Sequence, residues 1–245
     1  IEISHRSKDF VAVMDKAIAL VKELLNLPEG YSVLFLQGGA STQFLMTVLN
    51  LLKTDGKAAY INTGAWSDKA IKEAKKLGDI NVIASSDDKN FSYIPIVYTV
   101  PTDVDYLHFT SNNTIFGTQF QEFPAVKGDS LLVCDMSSDI FSRQFDASKF
   151  DLIYAGAQKN MGPAGATLVI VKDEILNKTG REIPTMLDYT THIKKESMFN
   201  TPPVFPIYVS MLTLEWLKKN GGVEWIEKVN TAKAGKINFF IVFFI

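Results

Sequence analysis

The stretch DLIYAGAQKNMGPAG, residues 151–165, places one lysine, Lys159, directly after an apolar run and just before a Gly-Pro-Ala-Gly turn. A lysine at the mouth of a buried strand has two readings. It is a solvated side chain whose stem packs beneath it, or it is a nucleophilic amine, which needs neighbours that hold and activate it. Candidate neighbours stand at the ends of other apolar runs. Asp135 closes SLLVCD (130–135). It either caps the next turn through Ser137 or Ser138 or aims a carboxylate at a ring nitrogen. Trp66 follows a Thr-Gly turn after AAYINT (58–63); it either packs or lays its face on a planar ring. Gly38-Gly39-Ala40-Ser41 follows SVLFLQ (32–37) and opens a helix. Free backbone N–H groups at a helix start, with a hydroxyl beside them, bind phosphate. The alternative is a plain glycine turn with Ser41 as N-cap. The stretch matches neither G-x-G-x-x-G nor G-x-x-x-x-G-K-[ST], so dinucleotide and P-loop readings are weak.

Taken together, a phosphate seat, a stacking indole, a strand-end carboxylate and a lysine describe a pocket for pyridoxal phosphate. The lysine condenses with the aldehyde. The carboxylate keeps the ring nitrogen protonated, so that the ring can act as an electron sink.

The elements that must position these groups alternate along the chain. Helical spacing of Phe10, Met14, Ala17, Ile18, Val21, Leu24 and Leu25 predicts a helix over 8–27, stopped by Pro28-Glu29-Gly30. Further helices are expected at 42–53, 68–77, 206–219 and from 223 onward. Strands are expected at 32–37, 58–63, 80–85, 106–111, 130–135, 151–157 and 166–172. This order predicts an α/β fold with a mostly parallel sheet sandwiched by helices. The Gly162–Gly165 link is too short for a parallel crossover, so 151–157 and 166–172 should pair antiparallel. In open α/β sheets ligands bind beyond the carboxyl ends of the strands, and every candidate above stands there.

Composition excludes other classes. The chain has 245 residues, 47% hydrophobic and 21% charged, enough for a packed core rather than disorder. With 25 Lys plus Arg against 27 Asp plus Glu, it has no basic surplus for nucleic acid or an anionic membrane. The single cysteine, Cys134, lies within an apolar strand. It allows neither a disulfide framework nor a metal cluster, is expected in the core, and fits a reducing cytoplasm. There is no secretory signal. The final INFFIVFFI is too short to span a bilayer, which needs about 20 residues; it is β-prone and reads either as a strand without its partners or as a spurious end. His108 is expected as a core histidine, His192 and Lys194-Lys195 as surface, and Met211 and Trp216 as core.

SHRSKDF, FLQGGASTQF, NTGAWSDKAIKEA, TSNNTIFGTQF, CDMSSDIFS, DLIYAGAQKNMGPAG and SMFNTPPVFPIY resemble the phosphoserine aminotransferase family, within the class V aminotransferases of the fold-type I pyridoxal phosphate enzymes. The resemblance runs from residue 1 to about 235. Residues 1–235 would be the cofactor-binding large domain and 236–245 an atypical apolar tail. The family's N-terminal segment and its small C-terminal domain would be missing. The resemblance implies Lys159 as the Schiff-base lysine and proton shuttle, Asp135 at the ring nitrogen and Trp66 stacked on the ring. It implies Ala40 and Ser41 at the phosphate, Thr114 at the ring hydroxyl side and Gln158 at the phosphate side. Asn200 and Thr201 would reach the phosphate of a neighbouring subunit's cofactor in a homodimer with shared active sites. His5 and Arg6 would bind the substrate phosphate, with phosphoserine, glutamate and 2-oxoglutarate as small-molecule substrates, serine biosynthesis as the pathway and the cytoplasm as the location. No metal is implied.

One departure stands out. The family pattern Asn-Glu-Thr is here Asn112-Asn113-Thr114, which puts the bonding behind Thr114 in question. Two other readings stand beside this one. A desulfurase on the same scaffold would need a mobile cysteine, and a non-catalytic fragment would at most bind cofactor or a partner chain.

Overall fold

The computed structural model describes residues 3–243. A seven-stranded sheet forms its middle layer, built from β1 (Tyr31–Leu36), β2 (Lys57–Asn62), β3 (Asp79–Ser85), β4 (Tyr106–Thr110), β7 (Leu131–Asp135), β8 (Leu152–Gly156) and β9 (Thr167–Lys172). The order is β1-β9-β8-β7-β4-β2-β3. Strands β3, β2, β4, β7 and β8 run parallel. β9 pairs antiparallel with both β8 and β1, so β1 points the same way as the parallel set. The expected antiparallel pair is present, from Leu152↔Val171 to Gly156↔Thr167. A small hairpin, β5 (Asn112–Asn113) with β6 (Thr118–Gln119), stands just past β4.

Strands buried on both faces alternate their side chains between two cores. Val33, Phe35, Leu107, Phe109, Cys134 and Ile153 face one core, which α1 (Lys8–Leu24) and α5 (Val204–Lys219) cover with Phe10, Met14, Met211 and Leu214. Leu34, Tyr60, Tyr106, Val133 and Tyr154 face the other, covered by α2 (Gly39–Leu51), α3 (Ala65–Ala74) and Tyr189 of α4 (Tyr189–Ile193). Asp135 shares the parity of Val133, and Thr110 that of Tyr106. Both therefore face the layer that holds α2 and α3. Cys134 is fully buried, as expected.

Three local expectations are corrected. His192 is buried at 3% exposure, and its Nε2 shares a hydrogen bond with the Met186 carbonyl at 2.9 Å. Trp216 is 52% exposed and packs edge-on against Trp225, with ring centroids 5.4 Å apart. The buried stripe of α5 is Ile207, Met211, Leu214 and Leu217; five residues from Met211, Trp216 has rotated off that face. The apolar end is helical rather than extended as far as Phe243, continuing α6 (Gly222–Phe243). A helix satisfies its backbone within the segment and needs no partner strand. Residues 244 and 245 lie outside the described residues.

His108 is a core histidine: 1% exposed, Nε2 2.8 Å from the Tyr154 hydroxyl, and stacked on Tyr60. Burial pushes its pKa down to about 3, so it is neutral at pH 7. No helix among the described residues is long and apolar enough to cross a membrane.

Arg181 ties the two site-bearing helices together at their far ends. Its Nε donates to the carbonyl of Leu52 at 2.7 Å, just past α2, and its Nη2 to that of Leu77 at 3.0 Å, past α3. A cation on the last carbonyls of a helix also meets the negative end of the dipole. Arg181→Met is expected to lower unfolding stability by about 1–3 kcal/mol, read as a lower urea midpoint in the intact protein. An unchanged midpoint would show that the clamp contributes nothing.

Candidate functional site

The carboxyl ends of β1, β2, β4, β7 and β8 emerge along one edge of the sheet, and each carries a polar group into the same region. After β1 the chain turns through Gly38 and Gly39, at φ 88° and 65°. This left-handed backbone favours glycine, and a Cβ on Gly38 would collide with the Thr42 side chain. The turn starts α2 three residues earlier than its apolar pattern suggests. Gly38 is the N-cap and makes no side-chain cap bond. Ser41 is thus the third helical residue rather than the cap, and the first-turn N–H groups have no side-chain acceptor. A helix start of this kind suits an anion.

After β2, Gly64 leads into α3 with Trp66 in its first turn. A Cβ on Gly64 would lie 2.5 Å from Asn113 Oδ1, so the Trp66 loop sits directly against the hairpin after β4. The half-buried indole has a buried Nε1 without a partner. Two ammonium groups lie near its ring, Lys69 Nζ at 4.4 Å and Lys159 Nζ at 5.4 Å from the centroid.

Asp135, 3% exposed, ends β7. Its Oδ1 accepts from the Ser137 N–H at 2.9 Å. The contact expected of a cap is thus present, through Ser137. Burial pushes its pKa up to about 6, against the lowering effect of the Ser137 bond and the Lys159 charge; nearby Asp139 pushes it further up. After β8, residues 157–162 form a turn in which Met161 and Gly162 donate to the Ala157 carbonyl at 3.2 and 2.9 Å. Asn160 Nδ2 anchors that turn to the Ile140 carbonyl at 2.6 Å. Lys159 is exposed on it and donates to Thr114 Oγ1 at 2.5 Å.

Ala40, Trp66, Asp135, Gln158 and Lys159 line one recess. Thr114 joins them through its bond to Lys159. Ser41 stands on the same first turn as Ala40 but does not line the recess. Asn200 lines a neighbouring cavity with Gln37, Gly38 and Thr42, on the other side of the glycine turn. The Thr201 carbonyl accepts from Gln37 Nε2 at 2.5 Å. His5 and Arg6 form a turn before α1, where the Arg6 N–H donates to Ser4 Oγ at 3.2 Å, and neither lines the recess. A larger cavity of about 810 Å³ lies elsewhere, between the end of α1, residues 143–146 and the α5–α6 junction. Its charged lining mixes both signs, and Lys218 is paired with Glu23 at 2.6 Å.

The recess also holds Thr110, which the sequence reading passed over, and Asn112, Ser137 and Ser138, which it named without a place in the pocket. Thr110 Oγ1 is buried and without a partner. The available signal was its place near the end of the 106–111 run, four residues before Thr114. Asn112 Nδ2 donates to Ser138 Oγ at 2.9 Å, and Ser138 Oγ donates to the Asn112 carbonyl at 2.8 Å.

These residues fit pyridoxal 5'-phosphate. The uncapped helix start suits its phosphate, the indole face its ring, the buried carboxylate its protonated nitrogen and the amine its aldehyde. Trp66 Nε1 beside the recess is buried without a protein partner, a polar group left for something other than the chain itself. Among the described residues no group of three potential metal ligands converges.

Residues 2–238 match the family model described as aminotransferase class-V. The phosphoserine aminotransferase of Flavobacterium psychrophilum is 67% identical over 235 residues, which is 96% of this chain and 65% of that protein. The chain therefore spans less than two thirds of that relative's length. Two solved structures are similar. One is phosphoserine aminotransferase from Bacillus circulans subsp. alkalophilus, with TM-score 0.92 and 47% identity, covering 96% of this chain and 66% of that one. The other is PLP-bound phosphoserine aminotransferase from Trichomonas vaginalis, with TM-score 0.89 and 33% identity, covering 97% and 67%.

The raised pKa of Asp135 makes a stability prediction. The folded group titrates near 6 and an ordinary aspartate near 3.8. The native state thus keeps a proton that the unfolded chain releases, and it loses stability as pH rises through that window. Asp135→Asn is expected to exceed the wild type by about 1–3 kcal/mol at pH 7.5 and to match it near pH 4. Paired urea melts of the cofactor-free proteins at the two pH values check this; equal stability at pH 7.5 would mean that the carboxylate is not desolvated.

Proposed function

The chain belongs to the class-V aminotransferase family, and from that premise we propose that the intact protein is a phosphoserine aminotransferase. Its cofactor is pyridoxal 5'-phosphate. It moves the amino group of glutamate to 3-phosphohydroxypyruvate, giving 2-oxoglutarate and O-phosphoserine, the aminating step of serine biosynthesis. The observation that carries this reading is the meeting of Lys159, Asp135 and Trp66 at one recess beside the start of α2. The 67% identity to a phosphoserine aminotransferase supports the substrate.

Bound in this recess, the cofactor supplies an aldehyde for the amino group and a cationic ring that takes up the electron pair left when the substrate Cα loses its proton. The chain's own residues do the rest. Asp135 holds a negative charge against the ring nitrogen from a buried position, where the low dielectric strengthens the pair. Trp66 covers one face of the ring and excludes water from it. Ala40 and Ser41 offer the first-turn N–H groups of α2 to the phosphate, and Gln158 stands on the phosphate side. Lys159 Nζ takes the Cα proton and returns it on the other side of the transfer. Thr114 holds that amine at the recess mouth, as its 2.5 Å bond already does. His5 and Arg6 receive the substrate phosphate, for which a guanidinium fork is suited.

Residues 1–235 serve as the cofactor-binding domain in this reading, and the cytoplasm is the expected site of action. A sulfur-transferring alternative finds no support in Cys134. Its thiol is fully buried within β7, with its pKa pushed well up by burial, so it is neither mobile nor nucleophilic.

The intact protein is expected to show a visible cofactor band and to transaminate 3-phosphohydroxypyruvate with glutamate. Borohydride should fix the cofactor covalently on the peptide that contains Lys159. Mass spectrometry of the digest checks the assignment, and fixation on another lysine would overturn it.

The protein also works as a homodimer in this proposal, with Asn200 and Thr201 completing the partner's phosphate site. Support comes from their placement: they precede Pro202-Pro203 in a segment that is neither helix nor strand and do not line the recess of their own chain. Lys159→Ala and the pair Asn200→Ala/Thr201→Ala should each be inactive alone. Mixed and allowed to exchange, they form hybrid dimers in which one site is wholly intact. Activity per hybrid is expected to approach half the native level. Verified exchange without recovery would place both residues in service of their own subunit.

A further inference from the structure

We propose that Thr110 is a positioning residue for Asp135, its hydroxyl donating to the carboxylate from the β4 side. The two residues are direct partners across the parallel pair of β4 and β7. Side chains at matched positions of neighbouring strands share a face and lie within about 5 Å, and both line the recess. Thr110 is 4% exposed, and its Oγ1 is buried without a partner. A valine would fill the same space with the same branching, so packing alone does not call for a hydroxyl here.

The neighbourhood leaves Asp135 short of donors. Oδ1 takes the Ser137 N–H at 2.9 Å and the Ser137 side chain also acts on the carboxylate by hydrogen bonding, so that its donors come from one residue on one side. The Tyr154 hydroxyl, on the strand to the other side, is shared with His108 Nε2. The Ser138 hydroxyl is spent on the Asn112 carbonyl. Of the charged groups that act on Asp135, Lys159 comes from the turn after β8 and is engaged with Thr114, and Asp139 comes from the turn after β7 and repels it. Thr110 is thus a donor without a partner of its own on the strand position matched to Asp135, and in this proposal a rotation about its χ1 turns the hydroxyl onto the carboxylate. That bond would favour the ionised form and fix the plane of the group that meets the ring nitrogen. Its consequence for the cofactor rests on the function proposed above.

Two variants of the intact protein separate the hydroxyl from the methyl. Thr110→Val keeps the shape and removes the donor; Thr110→Ser keeps the donor. Two quantities are read: the titration of Asp135 by carboxyl-carbon NMR in cofactor-free protein, and the dissociation constant of pyridoxal 5'-phosphate by absorbance. Thr110→Val is expected to move the Asp135 titration up by about one pH unit and to weaken cofactor binding about tenfold. Thr110→Ser should restore wild-type values for both. If Thr110→Val leaves the Asp135 titration in place, or Thr110→Ser behaves like Thr110→Val, the hydroxyl does not position the carboxylate and the proposal falls. A wild-type protein that binds no pyridoxal phosphate overturns the cofactor reading instead, and the Asp135 titration still decides the role of Thr110.

Discussion

A carboxylate that is 3% exposed at the end of a central strand is the constraint around which this molecule is arranged. Removing a charge from water is costly unless something meets it. For Asp135 the compensation comes from the Ser137 N–H, from the charge of Lys159 one strand away, and from whatever cation the recess receives. The sheet order places β7 between β4 and β8, so the group is walled on both sides and open only toward α2 and α3. An edge strand would have left it in water, with an ordinary pKa and little hold on a ring nitrogen.

Such a site needs loops that do not drift, and the strand-end loops here are braced against one another. Asp139, in the turn after β7, accepts from Ser111 Oγ and from Gln119 Nε2 at 3.0 Å, and so grips both ends of the hairpin that carries Thr114. Ser137 Oγ accepts from the Gly156 N–H at 3.0 Å, joining the ends of β7 and β8. Asn113 Nδ2 donates to Thr63 Oγ1 at 2.6 Å, joining the hairpin to the loop that carries Trp66. At this departure from the family pattern the Asn113 amide itself joins the two loops, and Thr114 takes the lysine.

Beneath the recess the second core contains a run of polar rings. Tyr60 and Tyr106 share a hydrogen bond at 2.8 Å, His108 stacks on Tyr60 and bonds Tyr154, and Tyr154 meets Phe44 of α2 edge-on. Polar rings bonded to one another specify a packing more sharply than aliphatic side chains do, although His108 Nδ1 is buried here without a partner. It sits between the strand ends and the helix whose first turn would hold the phosphate.

Much of this was legible in the sequence, because the signals were local. Continuous apolar runs and period-3.6 patterns revealed the strands and helices, a short Gly-Pro-Ala-Gly link showed that 151–157 and 166–172 must be antiparallel, and glycines and polar residues after each apolar run marked the edge that would carry chemistry. What tertiary structure alone decided is which groups meet. Nothing in the chain order says that β4 and β7 are neighbours in exact register, and that neighbourhood sets Thr110 beside Asp135. Nothing local says that His192 is covered or that Trp216 has turned away from the core, since burial depends on what packs against a face and not only on the face itself. The start of α2 moved to Gly39 because two left-handed glycines aim it. The sequence by itself determined the elements and the kinds of groups at their ends; the sheet order and the register between distant strands determined the distances, burial and pKa values that turn those groups into a site.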